Sequence, residues 1–222
     1  MNGWILKTWT ENKALLLLLA LMFTFRSACA DWNAVPTGSM KPTIIEGDRI
    51  LVNKLVYDVR VPFTNISLWK LSDPARGDII IFESKASGNR LVKRVIGIPG
   101  DTIGLRDNQL IINGKHLDYK IVASVNLTVD KLENLLGVEH LIRIDKRSSP
   151  LSDFQSVDVP ADHYLVLGDN RDNSADFRVI GFVPRQEIIG RSRSVVLSLN
   201  YDNFYIPRIN RFFMRLDRPQ NL

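Results

Sequence analysis

Leu91-Val92-Lys93-Arg94-Val95-Ile96-Gly97-Ile98-Pro99-Gly100-Asp101 is the stretch whose reading decides the fold. Its aliphatic and β-branched run is short, and Pro99-Gly100 stops it, so it reads as a strand. Two cations stand in its middle. Strand side chains alternate between faces, so Lys93 and Arg94 point opposite ways. If the strand is covered on both sides, one of them points into protein; an exposed lysine on an edge strand is the ordinary alternative. A buried lysine without a carboxylate partner gives up its proton readily, because desolvation disfavours the ammonium. Such an amine can serve as a general base near neutral pH.

The flanking segments also read as β structure. Upstream, Gly47-Asp48-Arg49-Ile50-Leu51-Val52 is a turn leading into a strand. Pro74 to Asp78 is a turn, and Ile79-Ile80-Ile81-Phe82 a continuous apolar strand buried on both faces. Ser84 to Asn89 is a polar turn. Downstream, Gln109 to Leu117 is a hairpin about Asn113-Gly114. Residues 118–160 are more polar and less patterned; a short helix is expected at Val129–Leu136, within an inserted cap. His163 to Gly168 is a strand that runs into the polar loop Asp169–Asp176. Val179 to Val183 and Ser194 to Leu199 are expected to close the sheet. The expected fold is mainly antiparallel β, with one N-terminal hydrophobic helix and a small inserted subdomain. Its divisions are an N-terminus (1–13), a hydrophobic segment (14–30), a core in two parts (31–105 and 161–200), a hairpin with cap (106–160) and a tail (201–222).

Composition excludes several classes. The chain has 222 residues, 45% hydrophobic and 24% charged, which is ordinary for a folded protein. Its net charge of +5 fits an anionic surface without demanding one. Cys29 is the single cysteine, so no intrachain disulfide forms. His116, His140 and His163 have no metal-ligand spacing. The loop Asp169–Asp176 fails the calcium-loop pattern, since Arg171, Ala175 or Gly181 falls where a ligand, glycine or glutamate is needed. A network of side chains bonding backbone, closed by an Asp176–Arg178 pair, is the better account. No metal, cofactor or nucleic acid is expected.

The N-terminus points to a membrane. Ala14 to Phe25 is a hydrophobic run with five consecutive leucines, preceded by Lys7 and Lys13 and broken by Arg26. A full span needs about 17–25 apolar residues, so the run is short. With Ala28-Cys29-Ala30 it matches a cleavable secretory signal; with Ser27–Ala30 completing it and Arg26 snorkelling, it is a single-pass anchor. Both readings carry the rest of the chain across the membrane and leave the lysines in the cytoplasm. A buried core helix is the third reading. Between Tyr57 and Trp69, the residues Phe63, Ile66, Leu68 and Trp69 interrupt polar residues without a period. They suit either the membrane interface or a loop folded onto the core. The tail carries Arg208, Arg211, Arg215 and Arg218 among Phe212, Phe213 and Met214; it reads as a surface tail, with a core cover or lipid contact as alternatives.

Just after this hydrophobic segment comes Ser39-Met40-Lys41-Pro42-Thr43. Pro42 restricts Lys41, and Gly38 permits close backbone approach, so Ser39 is expected on an irregular, extended segment. A hydroxyl within reach of a neutral lysine would be an activated nucleophile.

Ser39–Thr43, Gly47–Val52, Arg76–Phe82, Lys93–Asp101 and Gly168–Asp176 occur in an order that resembles the successive boxes of bacterial type I signal peptidases (leader peptidases). Arg26-Ser27 resembles that family's membrane exit. The resemblance covers about residues 20–105 and 160–200. It implies a Ser/Lys dyad, with Ser39 as nucleophile and Lys93 as general base. It implies an oxyanion hole from the Ser39 N–H and the Thr37 hydroxyl, Ser174 as the serine orienting the lysine amine, and Asp176 with Arg178 as a structural pair. Phe177 departs from the small polar residue expected there, which bears on packing near the lysine. The implied protein is a single-pass enzyme of the bacterial inner membrane, with its catalytic part outside the cytoplasm. Its implied partners are preprotein signal peptides bound as an added strand, cut after Ala-X-Ala, and the phospholipid membrane, with the secretion translocon also admitted. Oligomeric state is left open. A specialised paralogue maturing conjugation or pilin-type precursors fits the same motifs. A Ser/Lys self-cleaving repressor would need an N-terminal DNA-binding domain, and a non-catalytic exported β-sheet module would tolerate loss of Ser39.

Overall fold

A computed structural model describes residues 2–64, 66–147 and 149–217, except the side chains of residues 2–11 and 25, so Lys7 and Arg218 lie outside the description. Helix α1 (Asn2–Ala28) opens the chain. Among the described residues, no helix is long and apolar enough to cross a membrane. The strands follow: β1 (Ala30–Ala34), β2 (Asp48–Asn53), β3 (Asp58–Arg60), β4 (Ser67–Lys70), β5 (Ile79–Ser84), β6 (Asn89–Gly97), β7 (Thr102–Arg106), β8 (Gln109–Ile112) and β9 (Lys115–His116). Then come β10 (Asp118–Val125), β11 (Thr128–Leu135), β12 (Val138–Asp145), β13 (Phe154–Asp158), β14 (His163–Leu167), the one-turn helix α2 (Phe177–Ile180), β15 (Val183–Pro184), β16 (Ile188–Asn200) and β17 (Ile206–Pro207).

The main sheet runs β1-β2-β16-β5-β6-β14-β15, with β17 added on β16. Every ladder between these strands is antiparallel. Strand β5 is central, and Ile79 to Phe82 are buried on both faces, as their unbroken apolar run requires. Smaller sheets, β13-β7-β8-β9 and β10-β11-β12, stand beside it. One core cluster centres on Ile44, Ile50, Ile81 and Val195, and a second on Ile103, Leu110, Leu135 and Leu165. Asn113 and Gly114 both have positive φ, the geometry that an Asn-Gly hairpin turn needs.

Four local expectations are corrected. Val129–Leu136 is not helical: β11 is the middle strand of a three-stranded meander. Its Lys, Leu and Glu favour a helix in isolation, but turns with positive φ at Asn126 and Gly137 fold it between two partners. Val179–Val183 is not a strand. The Asp176 carboxylate caps α2 through the Arg178 N–H, Gly181 at φ 79° ends it, and only Val183–Pro184 pair. Ser39 lies in a chain of turns rather than extended backbone, with Lys41 N–H on Gly38 O at 3.1 Å and Ile44 N–H on Met40 O at 2.9 Å; the Lys41–Pro42 bond is cis. The tail is no loose surface segment. Leu216 is buried in the first core cluster, and Arg211 binds the buried Asp48 carboxylate and donates to Thr43 O at 3.0 Å.

Candidate active site

Lys93 sits on β6 opposite Ile80 of β5 and is 3% exposed. Its Nζ lies 2.9 Å from Ser39 Oγ and 3.1 Å from Val92 O. Burial lowers its pKa to about 8; the carboxylates of Asp176 and Asp169 oppose the shift, and Arg178 adds to it. Alternation sends Arg94 the other way, into an equally dry place. There it donates to both Asp169 oxygens at 2.8 and 2.7 Å and to Gly77 O at 2.9 Å. Burial raises the Asp169 carboxyl, but Arg94 outweighs it and holds the group below its ordinary range.

The turn carrying Ser39 is fixed from the far side of the chain. Asn170 donates its N–H to Ser39 O at 3.0 Å and its amide to Gly38 O at 2.9 Å. Thr43 Oγ1 donates to Asp169 Oδ2. A cavity of about 580 Å³ opens in front of Ser39, between β1 with its following loop and the first half of β6. Both walls offer unpaired strand edges. Among the described residues, β1 pairs only with β2, and β14 covers β6 only at Arg94, Val95 and Gly97. Thr37 is exposed in this cavity, and among the described residues neither its hydroxyl nor the Ser39 N–H donates a hydrogen bond. The arrangement offers a nucleophile, a base with a pKa near 8, two donors, and room for an extended peptide.

Residues 6–197 match the family described as signal peptidase, peptidase S26. The chain belongs to that family. Signal peptidase I of Pseudomonas aeruginosa is 34% identical over 203 residues, 84% of this chain and 72% of that one. Signal peptidase I P of Bacillus subtilis subsp. natto is 33% identical over 190 residues, 85% of this chain and 88% of that one. A crystal structure of a signal peptidase I from Enterococcus faecalis is 33% identical, covering 55% of this chain and 98% of that one, with a TM-score of 0.37. Family membership makes the chain a serine peptidase, a hydrolase of peptide bonds.

The remaining positions that the sequence resemblance singled out divide. Asp176 is fully buried, accepts from Gly168 N–H at 2.9 Å, and binds Arg178 at 2.8 and 2.7 Å. Ser174 is buried beside Gly168, and a Cβ on Gly168 would collide with Ser174 Oγ and Ser39 O. Its hydroxyl has no hydrogen-bond partner among the described residues, so it makes no bond to Lys93 Nζ. Phe177 turns toward the second core cluster, with its ring 5.3 Å from Phe154 and 4.7 Å from Phe182.

Sequence reasoning missed the supporting network. Thr43, Arg94, Asp169 and Asn170 all lie inside quoted motifs, so their positions were visible but their partnership was not. Arg171 also lies inside a quoted motif, but its partners Glu133 and His140 lie in the unpatterned stretch 118–160 and nothing in the sequence pairs them with it. They meet in the interior, where Arg171 grips Glu133, Tyr119 donates to Glu133 Oε2 at 2.7 Å, and His140 Nε2 stands 3.2 Å from Glu133 Oε1. Burial, reinforced by Arg94, lowers the His140 pKa.

Proposed function

We propose that this enzyme removes signal peptides from exported preproteins, cutting after small residues with a Ser39/Lys93 dyad. The observation that carries the reading is a buried lysine amine, with its pKa lowered to about 8, 2.9 Å from a serine hydroxyl at the mouth of a two-edged groove. An extended signal peptide adds between β1 and β6 and presents its scissile carbonyl to Ser39. Neutral Lys93 takes the Ser39 proton as Oγ attacks. The Ser39 N–H and Thr37 hydroxyl receive the oxyanion. The ammonium then protonates the leaving amine, and the restored amine deprotonates the water that releases the acyl group. Ser174 packs at Gly168, where Ser39 O also stands, and Asp176 with Arg178 holds that loop.

We further propose that α1 anchors the enzyme in the membrane and that the catalytic part lies on the extracytoplasmic side. Leu15 to Leu19 are exposed, and so is Leu21. At the other end of the helix, Ser27 Oγ accepts the Phe63 N–H at 2.6 Å, which ties the β3–β4 loop to the helix exit. Phe63 and Trp69 there are 72% and 70% exposed, with Ile66 and Leu68 beside them. This supports a loop that dips into the lipid interface. Reduced vesicle partition of a Phe63→Ser/Trp69→Ser variant tests it, and equal partition would remove the loop from the interface.

The decisive experiment is cleavage of a preprotein whose signal ends in Ala-X-Ala, in detergent, by wild type and Ser39→Ala. Cutting at that junction by wild type alone is expected. Cutting by both would discard Ser39; cutting of a pilin-type precursor alone would favour the specialised paralogue.

A further inference from the structure

A separate cavity of about 280 Å³ opens at the C-terminal end of α1. Ser27, Phe63 and Thr64 form one part of its wall, and Lys54, Arg60 and Arg90 another. Three of the lining residues are cations, and none is a carboxylate. Lys54 Nζ donates to Arg26 O at 3.2 Å and Ser27 O at 2.9 Å, the carbonyls that end α1. Lys54 Nζ stands 4.0 Å from Asp31 Oδ2.

Arg60 is 6% exposed. Its Nη2 donates to Asp58 Oδ2 at 2.8 Å and to Ile188 O. Its Nε is buried without an acceptor, and its Nη1 makes no hydrogen bond among the described residues. Arg90 uses Nη2 on Glu83 Oε1 at 2.7 Å and is otherwise exposed. The cations converge closely enough to feel one another. Burial lowers the Lys54 pKa, Asp31 opposes, and the charges of Arg90, Arg26 and Arg60 lower it further. The Ser27 hydroxyl accepts from Phe63 and keeps its own proton to donate.

We propose that this pocket binds a phosphate group through Arg60, Lys54, Arg90 and the Ser27 hydroxyl. Guanidinium forks and an ammonium suit a tetrahedral oxyanion, and buried unmet donors are normally matched by an acceptor. The pocket sits where α1 leaves the catalytic part, beside exposed Phe63. There the phosphate belongs to an anionic phospholipid headgroup; that source rests on reading α1 as the membrane anchor, whereas the phosphate chemistry does not. Arg90 also lines the groove in front of Ser39, so a phosphate held here fixes a residue of the substrate wall.

The test uses the full chain in a phosphate-free detergent with 15N-labelled arginine. The Arg60 Nε–H resonance is followed as inorganic phosphate replaces chloride at constant ionic strength. A saturable shift is expected, with affinity about tenfold weaker in Lys54→Gln. Phosphatidylglycerol in the micelles should move the same resonance and compete with phosphate. Saturation by phosphate without competition from the lipid would retain the site and assign it to soluble phosphate. No saturable shift with either ligand, or unchanged affinity in Lys54→Gln, overturns the proposal. If Lys54→Gln does not fold, Arg60→Gln replaces it with calorimetric phosphate titration as the readout. Asp58 there keeps Arg185 at 3.0 and 3.1 Å, and unchanged affinity again overturns the site. Loss of vesicle partition with phosphate binding intact would sink the anchor reading alone.

Discussion

Replacing Lys93 by methionine should abolish activity and change stability in a pH-dependent way. The side chains are close in length, and methionine adapts to apolar surroundings. In the wild type, folding buries an amine whose pKa falls from 10.5 to about 8. The folded state therefore binds fewer protons than the unfolded state between those values. Below pH 8 the whole penalty is present, about 3 kcal/mol at pH 7; it shrinks to about 2 kcal/mol at pH 9 and to under about 0.5 kcal/mol at pH 10.5. Wild-type stability rises through this window as the penalty disappears. Methionine never carries the penalty, but it forfeits the contacts of Nζ with Ser39 Oγ and Val92 O, about 1 kcal/mol each. The variant should thus exceed wild type by about 1–2 kcal/mol at pH 7 and fall below it at pH 10.5. Urea unfolding of both proteins in the same detergent at pH 7, 9 and 10.5 gives the difference directly, with the titration of other groups common to both. A stability difference that does not change with pH would refute the buried, low-pKa amine, whatever its sign.

Three further outcomes follow from the same geometry. In the proposed dyad the neutral amine is the reactive form, so kcat/KM should climb with pH and level off through a midpoint near 8, as read from a pH–rate profile; Lys93→Arg should show no such limb and no cleavage. Gly168→Ala puts a methyl group against Ser39 O and Ser174 Oγ, so kcat should fall at least about tenfold with KM little changed, and unchanged kcat would mean the loop yields freely. Glu133→Ala strands the buried Arg171 guanidinium and should cost about 3–5 kcal/mol in urea unfolding, against no measurable loss if water reaches that charge.

The strands were legible wherever burial writes itself into composition. Ile79 to Phe82 and Leu91 to Gly97 announce themselves because both of their faces are covered. The Asn113-Gly114 turn was legible because few other pairs adopt positive φ twice. β11 was not, because its residues satisfy helix preference and only its neighbours make it a strand. α2 was not, because one capping carboxylate, Asp176, outweighs the β preference of Val179 and Ile180. Ser39 and Lys93 were visible as residue types in odd places. Their distance was not, since they stand 54 positions apart in the sequence and only the closure of the sheet brings them together. The tail misled because its arginines resemble a solvated run, whereas Arg211 neutralises Asp48 inside the fold.

The arginines around the site answer a specific electrostatic need. Two carboxylates, Asp169 and Asp176, act on the Lys93 amine, and each raises its pKa. Both therefore work against the neutral form that the proposed base role needs. Each is gripped by its own guanidinium: Arg94 takes both oxygens of Asp169, and Arg178 both oxygens of Asp176. The carboxylates keep their structural work, Asp169 on Thr43 and Asp176 on the Gly168 N–H, while each is paired with a guanidinium of its own. Desolvation then remains the largest influence on the amine. Buried ion pairs seldom repay their own desolvation in stability; here they let a polar, hydrogen-bonded loop hold Ser39, the proposed nucleophile, beside the lysine proposed as its base.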